Sequence, residues 1–221
     1  MVSWSRMLKV GLTGGIAAGK SVVGEMFVAL GAHLVQADRI AHSLMRPGEA
    51  VYNDVVRHFG REILNRDLSV NRAKLAEVAF GPAAAPEGER VSRIEELNRI
   101  VHPAVIRSQE EWMQEMGRQD PHAVAIVEAA LILEAGVAER FDRLIVVTCS
   151  AEQRVARFAA RQKIDFEAAR KEVVRRMAAQ LPDEEKIKAA DYVIDNSGTL
   201  EKTREQVLAV WEKLQSQHRP C

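Results

Sequence analysis

A short, mainly apolar run from Leu8 to Thr13 (LKVGLT) opens the hydrophobic pattern and predicts a strand. Val22, Val23, Met26, Phe27 and Leu30 then recur at helical spacing, and Gly31 closes the helix they predict. HLVQAD (33–38) returns to a strand, with Asp38 at its carboxyl end. From about residue 39 to 120 the spacing is mostly helical, strand signals are scarce, and GPAAAPEGE (81–89) reads as an irregular loop. HAVAIVEAAL (122–131) returns to a strand that runs into Glu128, and FDRLIVVTC (141–149) predicts another buried strand. SAEQRVARFAARQ (150–162) predicts a helix with Ser150 as its N-cap. DYVID (191–195) is the last strand and 199–217 the last amphipathic helix. Strands alternating with helices predict an α/β fold, a parallel sheet with helices on both faces. The long helical stretch between the second and third strands, about 46–120, reads as an insertion on that sheet.

Composition narrows the class. Lys plus Arg and Asp plus Glu both number 31, so the formal net charge is zero, which argues against a general nucleic-acid binder. The two cysteines, Cys149 and Cys221, have no metal-ligand spacing and form no framework, which points to a reducing compartment. MVSWSR at the start is too short and polar for a secretory signal and reads as an extension before Met7. No apolar run approaches the roughly 20 residues that cross a bilayer. The expectation is a cytoplasmic protein with no nucleic-acid or membrane partner, a monomer or a weak homo-oligomer, its fold spanning 7–217.

The first chemistry lies in GGIAAGKSV, between the first strand and the first helix. Gly14, Gly19, Lys20 and Ser21 match G-x-x-x-x-G-K-[ST], the phosphate-binding loop. Glycines there let successive N–H groups turn inward on phosphate oxygens, and the following helix adds its positive end. Gly14, Gly15, Ile16, Ala17, Ala18, Gly19, Lys20, Ser21 and Val22 are therefore the candidate triphosphate site, with Lys20 on the β- and γ-phosphates and Ser21 on Mg²⁺. A chance match in a turn is the bland alternative, but the flanking strand and helix supply the required context. A dinucleotide site fits less well, since G-x-G-x-x-G is absent.

A switch GTPase would carry D-x-x-G soon after the loop and N-K-x-D later. Here D-x-x-G occurs only at Asp195–Gly198, and QKID (162–165) lacks the asparagine. A small-molecule kinase needs an acid at the acceptor hydroxyl, an acid near the metal, and arginines around the phosphates. Asp38, at the ligand-binding side of a parallel sheet, is the candidate base, with a helix N-cap as its bland role. Glu128, at the end of the third strand, is the candidate metal acid; Glu134 is its competitor or collaborator and also fits an exposed helix residue. Between Arg154 and Arg176 there are eight basic and three acidic residues, and Arg157 and Arg161 share a helix face. An anionic ligand under a mobile lid would account for that excess, and a solvated face is the alternative.

Together these motifs resemble the dephospho-coenzyme A kinase family over about Leu8 to Leu214. LTGGIAAGKS resembles the family's LTGGIGSGKS, and GAHLVQADRIAHSL its G…VIDAD.IA..L. LNRIVHPAVI (97–106), AALILE (129–134) and AADYVIDNSG (189–198) are similar to its L…I.HP.I, PLLFE and AD.VIDN.G. The resemblance implies a P-loop NTPase-type core at 7–45, 121–160 and 186–217, a coenzyme A-binding insertion at about 46–120, and a lid at about 161–185. It implies transfer of a phosphoryl group from ATP, with Mg²⁺, to the ribose 3′-hydroxyl of dephospho-coenzyme A. Asp38 falls on the family's catalytic Asp, Arg157 on a phosphate-contacting arginine, and Asn196 near the adenine; His102 and Glu134 fall on the substrate side. Gln36 stands where the family has the first Asp of its DAD, Ala17 and Ala18 replace Gly-Ser in the loop, Ala130 replaces Pro, and Glu128 stands where Asp is common. Alanine in the loop predicts ordinary backbone angles there. A P-loop kinase for another nucleoside or nucleotide, and a nucleotide-binding regulatory protein, remain the alternatives. His33, His42, His58 and His122 read as surface or packing residues, and Trp112, Trp211, Met26, Met113, Met116 and Met177 as core.

Overall fold

The computed structural model describes residues 7–80 and 93–216; the expected loop at 81–89 and the leading segment 1–6 lie outside them. The chain runs β1 (Leu8–Gly14), α1 (Lys20–Ala29), β2 (His33–Gln36), α2 (Ala37–Leu44), α3 (Ala50–Phe59), α4 (Arg72–Phe80) and α5 (Ile94–Gln119). It continues through β3 (Val124–Glu128), β4 (Arg143–Thr148), α6 (Ala151–Gln162), α7 (Phe166–Ala178), α8 (Asp183–Ala189), β5 (Tyr192–Asp195) and α9 (Leu200–Ser216). Among the described residues the five strands form one parallel sheet in the order β2-β3-β1-β4-β5. That order puts β1 in the centre; the chain leaves β1 toward β2 on one side and leaves the adjacent β3 toward β4 on the other. In such a sheet the crevice for ligands opens at the carboxyl ends of the strands around the switch point.

Strand alternation decides what each face buries. Val10, Leu12, Ile126, Ile145, Val147 and Ile194 share one cluster with Val23 and Phe27 of α1 and with Val207, Val210 and Leu214 of α9. Full burial of such a side chain stabilises by roughly 1.5–3 kcal/mol, so this face anchors the sheet. On the other face Leu144 and Val146 meet Ile132 and the half-buried Leu133, Val137 and Phe141.

Two compact units emerge, one within Met1–Gln36 and Met113–Cys221, the other Ala37–Trp112. The second unit holds α2, α3, α4 and most of α5, with one isolated antiparallel bridge between Leu64 and Val70. Within it the Arg93 guanidinium lies over the Phe59 ring, 4.6 Å from its centroid, and bonds Glu96. His102 and Pro103 fall inside α5. Pro103 lacks the N–H that would bond the helix carbonyl four residues back.

One strand expectation needs correction. The segment 33–38 is strand only to Gln36, and Asp38 belongs to the first turn of α2. A carboxylate is favoured there by the helix's positive end, which outweighs the short alternation that reads as strand. The third strand ends at Glu128 as expected, after which the chain turns so that Ile132 enters the cluster with Leu144 and Val146.

Candidate active site

The phosphate loop is set by backbone geometry at its two motif glycines. Gly14 (φ 149°) packs so close to β4 that a Cβ would lie 2.2 Å from the Val147 carbonyl oxygen. Gly19 (φ 98°) precedes the first residue of α1, in a left-handed conformation that favours glycine. The first turn of α1 carries no acidic residue, so its positive end is not neutralised by the helix itself. Ala17 departs from expectation: its φ is 53°, in the left-handed region rather than at ordinary angles. The fold holds it there because its neighbour Ile16 is buried among Val155, Phe158, Ala169 and Val173 of α6 and α7.

Lys20 crosses back over the loop, its Nζ donating to the carbonyls of Gly14 at 3.0 Å and Gly15 at 3.2 Å. Ser21, in the first turn of α1, donates its hydroxyl to Glu128 Oε1 at 2.7 Å. Glu128 is the last residue of β3, and the strand register sets it beside Gln36 of β2. Gln36 uses that proximity, donating its amide to Glu128 Oε2 at 2.7 Å. The buried carboxylate thus has one donor on each oxygen. A hydroxyl and a carboxylate converging beside a phosphate loop make an oxygen donor set that suits a hard divalent cation, which takes its remaining ligands from phosphate and water. Among the described residues no group of three or more His, Cys, Asp or Glu side chains gathers as a metal cage.

The far side of the loop is buttressed by α6 and the turn after β5. Ser150 caps α6 as expected, accepting a bond from the Gln153 N–H. Arg157 donates to the Ala18 carbonyl at 3.2 Å and to the Asn196 carbonyl at 2.8 Å. Asn196 is 2% exposed, and its amide is already engaged within the protein. Its Nδ2 bonds the Ala18 carbonyl at 2.9 Å, and its Oδ1 accepts from Thr203 at 3.0 Å. Its nitrogen occupies the space beside Gly19, where an added Cβ would sit 2.0 Å away. Cys149 lies below the same loop, its Sγ 3.8 Å from the Ala17 carbonyl, and burial pushes its thiol up while Arg154 and Arg157 pull it down.

The remaining candidates are spread more widely. Arg161 is exposed and stacks on Phe158, with its guanidinium 5.6 Å from the ring centroid. Much of the basic run is paired within itself: Arg175 and Arg176 both bind Glu172, whose carboxyl their bonds hold below the usual range against burial. Val22 is exposed on α1, and Ile16 is buried, so only the backbone of Ile16 faces the loop's interior chemistry. Glu134 is not an exposed helix residue. It stands half-buried in the turns after β3, paired with Lys186 of α8 at 2.8 Å and accepting the Leu181 N–H at 3.0 Å. Lys186 is fully buried, and breaking such a pair costs roughly 3–5 kcal/mol. In the other unit Asp38 is exposed at the start of α2, and His102 is half-buried on α5, where burial lowers its pKa. The sequence reading missed Arg154, Thr203 and Lys186; Arg154 entered it only as one charge in a basic run.

A phosphate loop leading from a central parallel strand into a helix, with an acid at the end of the neighbouring strand, defines a P-loop kinase. The dephospho-CoA kinase sequence profile matches residues 8–202, and the chain belongs to that family. A dephospho-CoA kinase of Aquifex aeolicus is 39% identical over 210 residues, covering 94% of this chain and 98% of the relative. A crystal structure of a Thermus thermophilus protein superposes with a TM-score of 0.73 at 30% identity, covering 95% of this chain and 98% of the other. Shikimate kinase from Bacteroides thetaiotaomicron shares the fold at a TM-score of 0.51 and 12% identity, covering 94% and 98%.

Proposed function

We propose that this chain transfers the γ-phosphoryl group of ATP to the ribose 3′-hydroxyl of dephospho-coenzyme A, giving coenzyme A and ADP. The observation that carries the reading is the Ser21–Glu128 contact beside the phosphate loop, in a chain of the dephospho-CoA kinase family. Lys20 sits on the loop within reach of the terminal phosphates and exchanges its two carbonyl partners for them. Ser21 and Glu128 would hold Mg²⁺, and Gln36 fixes the carboxylate that would do so. When bound, Mg²⁺ neutralises charge on the phosphates during transfer. Arg157 steadies the loop at Ala18 and brings a fixed cation to its rim.

Asp38 is the base. It follows Gln36 by two residues, so the chain keeps it within about 7 Å of that strand end, Cα to Cα. There it takes the proton of the acceptor hydroxyl as the oxygen attacks phosphorus. The insertion at about 46–120 takes the coenzyme A portion, and about 161–185 acts as the lid. The same reading carries small-molecule partners and a cytoplasmic site of action; among the described residues no helix is long and apolar enough to cross a membrane.

ADP release measured with dephospho-coenzyme A, adenosine and nucleoside monophosphates in parallel tests the reading. Acceleration by dephospho-coenzyme A alone is expected. Faster turnover with another acceptor, or slow hydrolysis that no alcohol accelerates, contradicts it.

A further inference from the structure

Arg154 is among the largest fully buried side chains of the molecule, at 1% exposure. A guanidinium is costly to bury unless its donors are paired. Its Nε donates to the Cys149 carbonyl at 3.2 Å, and its Nη2 pairs with Asp183 at the start of α8. Nη1, equally buried, has no hydrogen-bond partner. That nitrogen lies against the phosphate loop: a Cβ built on Gly15 would sit 1.9 Å from it. Gly15, unlike Gly14 and Gly19, has no left-handed φ, so its backbone angles do not call for glycine. What excludes a side chain at position 15 is the space that Arg154 fills.

We propose that Arg154 is a positioning residue for nucleotide binding, which sets the phosphate loop at Gly15 and ties it through Asp183 to α8. The proposal rests on the kinase reading and deepens it. Three of its surroundings belong to the nucleotide site rather than to general packing. Gly15 supplies one of the two carbonyls that Lys20 binds. Cys149, which Arg154 holds by its carbonyl, places its sulfur at Ala17. One turn further along α6, Arg157 bonds Ala18. Gly15, Ala17 and Ala18 are thus all supported from this side, with the guanidinium under the first of them. Asp183 extends the link to α8, which Lys186 in turn fastens to Glu134. The segment carrying the basic helix α7 therefore returns to the sheet through a helix clamped to the loop.

The test separates nucleotide binding from stability. Arg154→Met combined with Asp183→Asn removes both charges, so neither is left unpaired, and thermal unfolding reports whether the variant folds. The expected result is a rise of about tenfold in Kd and KM for ATP, with kcat at saturating ATP and KM for dephospho-coenzyme A within about twofold of wild type. Gly15→Ala in the otherwise native chain displaces the guanidinium and raises KM for ATP to a similar degree, and it reads the same contact should the double variant fail to fold. Added to Arg154→Ala with Asp183→Asn, Gly15→Ala costs less than about twofold more, since the Cβ then has room. Unchanged ATP affinity in the folded double variant or in Gly15→Ala overturns the proposal, as does full additivity. A wild-type chain that binds no ATP overturns the kinase reading instead.

Discussion

The Ser21 hydroxyl and the Glu128 carboxylate, 107 residues apart in sequence, meet at 2.7 Å at the carboxyl edge of the sheet. The contact depends on β1 and β3 being neighbours, because the register sets Leu12 opposite Glu128. Gln36, on the other side, holds the second carboxylate oxygen at the same distance. This amide stands where the resemblance leads one to expect a carboxylate. A neutral donor beside Glu128 orients it without adding a second negative charge, so the proposed metal site would lean on a single acid.

Gln36→Leu removes that donor and leaves the strand hydrophobic. The Mg²⁺ concentration for half-maximal activity is expected to rise about 10- to 100-fold, the usual effect of losing an outer partner of a metal ligand. An unchanged magnesium titration would show that Gln36 does not orient the site.

Ala17→Gly addresses the loop's left-handed alanine. The strain relieved, about 1–2 kcal/mol for a left-handed non-glycine residue, exceeds the added chain entropy of about 0.4–1 kcal/mol. Denaturant unfolding is expected to show a small gain in stability, about 0.5 kcal/mol, with KM for ATP kept. A clear loss of stability would mean that the Ala17 methyl contributes more packing than its backbone costs.

Burial holds His102 below the ordinary histidine range; burial and then Arg72 do the same for His42, with Asp38 opposing. Because the folded state resists protons that the unfolded chain accepts, their contribution is present above the unfolded value near 6.5 and lost as pH falls below it. The thermal midpoint should therefore fall between neutrality and mildly acid pH, and His42→Gln with His102→Gln should flatten that slope. Glu96, Glu115 and Glu172, whose bonds from arginine lower their pKa values, act only at more acid pH. An equal slope in the double variant would contradict the assignment.

Asp38→Asn keeps the shape of the first turn of α2 and removes the proposed base. ATP affinity should stay within about threefold, while kcat falls roughly 10²- to 10⁴-fold. Turnover at the wild-type rate would remove Asp38 from the mechanism.

What the sequence made legible was local. The phosphate loop, the α1 helix and the Ser150 cap follow from residues within a few positions of one another. Five parallel strands followed from apolar runs, and the family from motifs in a fixed order. Contacts formed only when distant strands close were hidden. Asn196 meets Ala18 across 178 positions and Arg157 meets it across 139, and nothing in either segment announces the other. Arg154 looked like one more surface charge, because periodicity does not reveal which arginine of a basic helix turns under the loop. Glu134 read as exposed because its partner, Lys186, lies 52 positions later on a short helix behind the sheet. Ala17 was misjudged for another reason: packing of Ile16 imposes an angle that composition alone argues against.

The most direct test follows the phosphoryl group itself. Wild-type protein, ATP labelled at the γ-phosphate, Mg²⁺ and dephospho-coenzyme A are incubated together, and the product is examined by phosphorus NMR with coupling to the ribose protons. The account predicts one equivalent of ADP for each new phosphomonoester, with the label on the 3′-oxygen. Label recovered as inorganic phosphate, or on any other hydroxyl, would contradict it.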